Sequence, residues 1–419
     1  MTQLRQFVST PSGKGFILLG IMMAAFGMAM SAQESVVTNY FEDVLGLEGP
    51  QFGYITAIRE VPGFLLIFLT ALFYRMTIPK LTAMALLLLA AGYVLFGLSN
   101  SFWTVAPWVV ISSMGYHTVL QTQYALGMSL TTESKSGSIL GKMSAIHNGG
   151  ALAAMVFVLL AFQYDWLSFR PLFVITGGLA LVAAVAVFRF PNLHDGQEHA
   201  AEIPQRDRFV LRRSYRYYYY LNLLDGGRQQ IFFSFGLWVL VNNYGMSVPE
   251  ISAILIVVRL AAMVSGPWIG RMIDLHGERQ MLGIINFAYI FALGGYALVD
   301  NVYFAAGCYV VYSFIFPLSS IGAATYLRKV AVGREIAPSL AMGVTLNHAA
   351  AIVVPITTGF ILNFVGFQVP FLIACVFAIF TIFVTRRLDP PTQKSPARIA
   401  EDEARAASSV PVSVVANGK

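Results

Sequence analysis

Charge is what this chain has least of. Asp, Glu, Lys and Arg make up 11% of its 419 residues, against roughly 25% in a soluble domain. Hydrophobic residues make up 57%, and mean hydropathy is +0.67. That deficit argues against a water-soluble enzyme and places most of the chain in lipid. Cysteine is almost missing too. Cys308 and Cys375 each fall in an apolar run, which favours buried small hydrophobes over a disulfide framework or a thiolate metal site. Enzyme signatures are lacking as well. The histidine pairs are not spaced as HxxxH, and GLEGP (Gly46–Pro50) lacks the strand-to-helix setting of a phosphate loop. Neither catalysis, a cofactor nor a metal site is expected. Met1–Lys14 is short and polar, and the run after it continues beyond a signal-peptide core without a clear cleavage site.

What is present is a series of long apolar runs. A bilayer span needs about 20 mostly apolar residues. Twelve candidates lie near 15–40, 51–74, 81–99, 102–131, 138–162, 168–188, 217–242, 248–271, 280–298, 302–327, 338–363 and 367–385. The expected fold class is therefore all-α and integral to the membrane. A hydrophilic stretch over 191–216 splits the spans into an N-terminal six-helix bundle over 1–190 and a C-terminal one over 217–388. The tail over 389–419 is rich in Pro, Ala and Ser and is expected to be disordered.

The net charge of +6 does not point to nucleic acid, because the basic residues lie in loops between apolar runs. The positive-inside rule orients the chain instead. With both termini cytoplasmic, Arg170 alone of the 27 Lys and Arg faces outward, and Arg59, Arg228 and Arg259 lie within spans. This predicts a multi-pass protein of the plasma (inner) membrane. The segment RRSYRYYYY (Arg212–Tyr220) suits a helix entering from an anionic surface with tyrosines at the headgroups.

Six ionisable residues break the apolar spans: Glu34, Arg59, Glu60, Asp225, Arg228 and Arg259. Each costs at least ~2.5 kcal/mol in hydrocarbon and is expected to face a partner or a wet cavity. Three are acidic and three basic, so no net charge identifies the solute. The halves also resemble each other at a shift of about 200 residues. SAIHNGGALAA (Ser144–Ala154) aligns with VTLNHAAAIVV (Val344–Val354), placing His147-Asn148 opposite Asn347-His348. Arg59 falls opposite Arg259, and Gln33-Glu34 falls opposite Gln229-Gln230 at a slightly smaller shift.

Twelve spans in two parallel six-helix repeats around a hydrophilic linker resemble the major facilitator superfamily. The most specific local support is GRMIDLHGER (Gly270–Arg279), similar to the family's loop motif between spans 8 and 9. By that resemblance Asp274 would cap a neighbouring helix and, with Arg271 and Arg279, hold a cytoplasmic gate. The equivalent first-half loop, FYRMTIPK (Phe73–Lys80), lacks the Asp and both glycines. Span 5 lacks the proline of drug–proton antiporters.

The resemblance also implies that spans 1, 4, 7 and 10 line a central cavity. Gln33 and Glu34 on span 1, His117 and Gln121 on span 4, and Asp225, Arg228 and Gln229 on span 7 are the candidate substrate-binding residues. Gly226-Gly227 would loosen span 7 beside a substrate. Alternatively, Asp225 and Arg228 neutralise each other at i, i+3, with the glycines for close packing. Spans 2 and 11, and 5 and 8, would meet at the seam between halves. Arg59 and Glu60 would then approach Asn347 and His348, while Arg259 would approach His147 and Asn148, as coupling or gating groups. Together these features predict a monomeric secondary transporter of a small anionic or zwitterionic organic solute, coupled to protons. An exporter of lipophilic drugs or lipids, for which Phe232, Phe233 and Phe235 speak, is the alternative. A non-transporting sensor and a metal-ion transporter are weaker ones, the last for want of a ligand cluster.

Overall fold

The computed structural model describes residues 10–65, 76–131, 136–191 and 210–408. The N-terminal half contains α1 (Pro11–Asn39, continued by a π-helical turn over Tyr40–Val44), α2 (Gly49–Phe64), α3 (Ile78–Phe96), α4 (Phe102–Met128), α5 (Ser136–Gln163) and α6 (Phe169–Phe188). The C-terminal half begins with α7 (Arg216–Asn242). A helical stretch over Val248–Leu298 follows and breaks at Gly277, φ 76°, into α8 (248–276) and α9 (278–298). Then come α10 (Val302–Val330), α11 (Gly333–Val365) and α12 (Gln368–Arg386).

The repeat is written into the helix starts. α2 opens with Glu48-Gly-Pro-Gln51 and α8 with Ser247-Val-Pro-Glu250, each a capping box with proline in the first turn. Each is preceded by a glycine with positive φ, Gly46 at 58° and Gly245 at 67°, where a side chain would be strained. The equivalent chain reversals therefore have equivalent causes.

Among the described residues, eight segments are long and apolar enough to cross a bilayer. The helices outside that set are α2, which runs to the edge of the described residues, and α4, α7 and α8. These four carry Arg59-Glu60, His117-Gln121, Asp225-Arg228 and Arg259.

The halves join mainly through α2 against α11 and α5 against α8. Their joint is tightest at the face opposite the chain termini. There one apolar cluster contains residues of both halves, with Phe52 of α2 set 5.5 Å from Phe235 and 5.7 Å from Trp238 of α7, ring to ring. Asn39 Nδ2 donates to the Met246 carbonyl at 2.9 Å, and Asn242 donates to Glu42. Toward the terminal face the core divides. One cluster is built from α1, α3, α4, α5 and α6 alone, and another from the C-terminal half alone. The protein is closed at the far face, and its halves keep separate cores at the terminal face.

The tail departs from the expectation of disorder. Pro390–Gln393 and Pro396–Ser408 form helices α13 and α14. Gln393 accepts from the Tyr326 hydroxyl at 2.7 Å, Ser395 N donates to the Val330 carbonyl at 2.9 Å, and Glu401 accepts from Gly333 N at 3.1 Å. Composition suggested a free tail, but these contacts tie it to the ends of α10 and α11. Residues 409–419 lie outside the described residues. The tyrosine-rich segment also differs from expectation. Tyr215, Tyr218 and Tyr219 are buried in the C-terminal core, leaving Tyr220 exposed.

At the far face α2 approaches α11 closely enough that a Cβ on Gly53 would strike the Pro355 carbonyl. Gly53→Val should therefore pry the halves apart there. A cysteine replacing Asn39, a position 1% exposed, should then react with maleimide in detergent several-fold faster than in the Gly53 background. Both native cysteines are buried, so unchanged labelling would mean that this contact does not hold the face shut.

Candidate functional site

Two pairs of charged side chains, Glu34 with Arg259 and Arg59 with Glu60, lie where the halves adjoin. Arg259 of α8 places Nη2 3.2 Å from Glu34 Oε2 of α1 and 3.4 Å from Ser31 Oγ. This pair spans the seam. Arg59 and Glu60 are adjacent on α2, so the helix turns them to different sides. Arg59 faces open space, its side chain 54% exposed, with Nε 3.2 Å from Glu60 Oε1. Glu60 turns inward, and its Oε2 lies 3.4 Å from His348 Nδ1 of α11 and 3.9 Å from His117 Nε2 of α4. A second ionisable contact thus joins the halves. Tyr116 stands within the combined field of Arg59, Glu34, Glu60 and Arg259.

His117 is held from behind. Its Nδ1 lies 3.0 Å from both the carbonyl and the hydroxyl of Ser113, one turn earlier. Donation from Nδ1 to that carbonyl leaves Nε2 with its lone pair toward Glu60. The Ser113 hydroxyl donates to the Arg59 carbonyl, tying α4 to α2 beside the charges.

Asp225 and Arg228 are built differently. Arg228 is 0% exposed. Its Nη2 lies 2.7 Å from Asp225 Oδ1 and 3.4 Å from Ser319 Oγ, its Nη1 2.6 Å from Asn286 Oδ1, and its Nε 3.3 Å from Tyr312 Oη. The guanidinium carbon sits 3.6 Å from the centroid of Tyr289. All three nitrogens are engaged, and the partners belong to α7, α9 and α10. This is an ion pair enclosed in the C-terminal bundle, with every guanidinium nitrogen already bonded within that half. Gly226-Gly227 is corrected, because α7 runs unbroken through it. A Cβ on Gly226 would meet Ala350 Cβ at 3.2 Å, and one on Gly227 the Phe377 ring at 3.2 Å. The glycines let α11 and α12 pack closely.

Comparison with known proteins agrees with this architecture. The family model described as Major Facilitator Superfamily matches residues 219–417. Over those residues, just under half of the chain, the sequence is similar to the major facilitator superfamily. The fold of both halves is shared with solved transporter structures. A solved structure of the nucleoside transporter NupG superposes with a TM-score of 0.75 at 16% identity, covering 89% of this chain and 98% of that one. A bacterial homologue of the human lysosomal transporter Spinster, inward-facing and occupied, superposes with a TM-score of 0.69 at 14% identity, covering 91% and 98%. No curated protein sequence matches the chain.

The remaining expected residues scatter. Gln229 accepts from Asn347 Nδ2 at 3.2 Å, so Asn347 turns to α7 within its own half while His348 meets Glu60. His147 packs its ring 5.6 Å from Phe26 in the α1–α5 contact, within the field of Arg259, whose side chain bonds to Glu34 and Ser31 instead. Asn148 Nδ2 donates to Ser144 Oγ at 3.3 Å on its own helix. Gln33 is half-buried and Gln121 exposed. In the α8–α9 loop Arg271 and Arg279 are exposed, and the Asp274 side chain lies outside the described residues. The loop's ion pair is Glu278 to Lys329 of α10, at 2.6 Å with Glu278 buried.

Phe232 and Phe235 are wholly buried, and Phe232 stacks on Tyr312 at 3.8 Å. These two are core and closure residues, whereas Phe233 of the same set is half-buried, its ring 4.8 Å from Phe316. Tyr116 and Ser113 went unnoticed in the sequence. Their spacing with His117 on one polar helix was the available signal.

Removing one member of a buried ion pair costs about 3–5 kcal/mol, whereas replacing both by apolar groups is often tolerated. Arg228→Ala and Asp225→Ala should each lower the melting temperature of the purified protein sharply. The double variant Asp225→Leu/Arg228→Met should recover much of the loss. Stable single variants would contradict the sealed-pair assignment.

Proposed function

We propose that this protein is a secondary transporter that carries a small polar organic solute, anionic or zwitterionic, across the plasma membrane by alternating access. The observation that carries this reading is the seam. Glu34 with Arg259, and Glu60 with His348, pair groups of opposite halves beside the exposed Arg59. A partnership between side chains of two bodies can be exchanged for partnership with a solute or a proton, whereas the enclosed Arg228 pair cannot. A solute carboxylate would compete with Glu34 for Arg259 and engage Arg59. A solute ammonium would take the released Glu34.

The loops at the terminal face carry Arg271, Arg279, Arg328, Lys329, Arg334, Arg386 and Arg387, which favours a cytoplasmic location for that face. The described conformation is then closed outward and belongs to the inward-facing side of the cycle. Glu60 between two imidazoles is the group best placed to couple protons. Histidine titrates near neutral pH, and gain or loss of a proton changes the attraction that spans the seam. That NupG is a nucleoside transporter fits a hydrophilic cargo better than a lipid one. A single chain would suffice for this cycle, because the Glu34–Arg259 and Glu60–His348 contacts are both intramolecular.

A thermal-unfolding screen against organic anions, zwitterions, nucleosides and lipophilic cations tests the substrate class. A ligand at 100 times its Kd stabilises by about 2.7 kcal/mol. An anion or zwitterion should give a shift that Arg259→Met and Arg59→Met abolish. A shift from lipophilic cations alone would overturn the substrate reading.

Coupling is tested separately in proteoliposomes. Glu60→Gln should lose accumulation driven by a pH gradient while retaining solute exchange. Loss of both activities would make Glu60 structural.

A further inference from the structure

The contact between Glu60, His117 and His348 holds more than a salt bridge requires. One ligand atom from each lies within 4.8 Å of the others. Oε1 of Glu60 is occupied by Arg59, while the distances of 3.4 and 3.9 Å to the two imidazoles both run to Oε2. The carboxylate is thus held from one side and turned toward two ring nitrogens on the other. His348 Nδ1 is buried and makes no hydrogen bond. The His117 ring is fixed by Ser113 with Nε2 inward, the outer-shell arrangement that orients a metal-ligating imidazole. The rings stand nearly perpendicular, with centroids 5.7 Å apart.

The space for them depends on Gly63, one turn after Glu60. A Cβ there would fall 2.6 Å from His117 Nε2 and 3.0 Å from His348 Cε1. The cradle is open only because the residue is glycine.

We propose that Glu60, His117 and His348 form a binding site for a divalent transition-metal ion of the Zn2+ type, and that the bound ion clamps the two halves in the far-face-closed conformation. Zn–N and Zn–O bonds of 2.0–2.2 Å place tetrahedral ligand atoms about 3.3–3.5 Å apart, so closure needs movements of about 1 Å. Two imidazoles and one carboxylate select zinc or a neighbouring metal over Mg2+ or Ca2+, which take oxygen ligands. The fourth position is left for water or a solute group. Two ligands belong to the N-terminal half and one to the C-terminal half, so the complete site exists only while α2 and α4 lie against α11. Metal binding displaces protons from the same groups, making the ion a competitor of the proton rather than a cofactor.

The inference does not require the transport reading, and its test uses the full-length protein in detergent. Thermal unfolding is followed against ZnCl2 with MgCl2 as control, and Co2+ absorption in the visible range reports tetrahedral ligation. Zn2+ should stabilise the protein and Mg2+ should not. His117→Ala and His348→Ala should each weaken Zn2+ binding by on the order of 100-fold. Gly63→Ala should do likewise while keeping all three ligands, and each variant's metal-free melting temperature separates misfolding from lost binding. No Zn2+ shift in the parent, or an undiminished shift in the His117→Ala/His348→Ala double variant, would overturn the site. Spin labels at Leu98 and Leu298, exposed far-face positions of the two halves, read the clamp. Zn2+ should narrow their distance distribution to its shorter component, and binding without that change would overturn the clamping role.

Discussion

An ionised side chain among hydrocarbon must find a partner, and it can seldom find one on its own helix. Desolvation costs several kcal/mol per ion, recovered only by good geometry and additional hydrogen bonds. This protein meets the constraint in two ways. Arg228 is enclosed by Asp225, Asn286, Ser319, Tyr312 and the face of Tyr289, all from one half. Glu34 pairs with Arg259 and Glu60 with His348 across the two halves, while Arg59 stays exposed beside Glu60. The first arrangement fixes the C-terminal bundle as a rigid body. The second makes the relation between the bodies negotiable.

The other features of the fold serve that division. Separate apolar cores near the terminal face would let each half keep its shape in the proposed rocking of the two. The shared aromatic cluster at the far face supplies a closure whose strength need only match that of the alternative. A conformational equilibrium moves from 1:99 to 99:1 with about 5.5 kcal/mol of differential binding. Two exchangeable ionic contacts and a cluster of aromatic rings are of the right order to be biased by one solute and one proton. A seam of sealed ion pairs would be too costly to break.

Much of this was legible in the sequence. The twelve spans, the division into two sixes and the helix starts follow from hydropathy, proline and capping residues, which act locally. Arg59 opposite Arg259, and His147-Asn148 opposite Asn347-His348, also marked the seam helices. Which of two adjacent side chains crosses the seam was not legible. His348 reaches Glu60 while Asn347 turns back to Gln229, a choice made by the rotation of α11. The enclosure of Arg228 was not legible for a related reason. Its local partner Asp225 was visible at i+3, but the closing partners come from α9 and α10, 58 to 91 residues away. The tail misled through composition, since Pro, Ala and Ser say little about a segment held by a few specific hydrogen bonds to helix ends.

In the proposed cycle the ionic seam holds the far face closed, and its release opens that face. The most direct measurement is the distance distribution between spin labels at Leu98 and Leu298 in the otherwise unaltered protein and in Glu34→Gln/Glu60→Gln, recorded in detergent without solute. The unaltered seam should give a dominant short distance, and the double variant a substantial second population at longer distance. The same single distribution in both proteins would show that these contacts ride on the conformation without determining it.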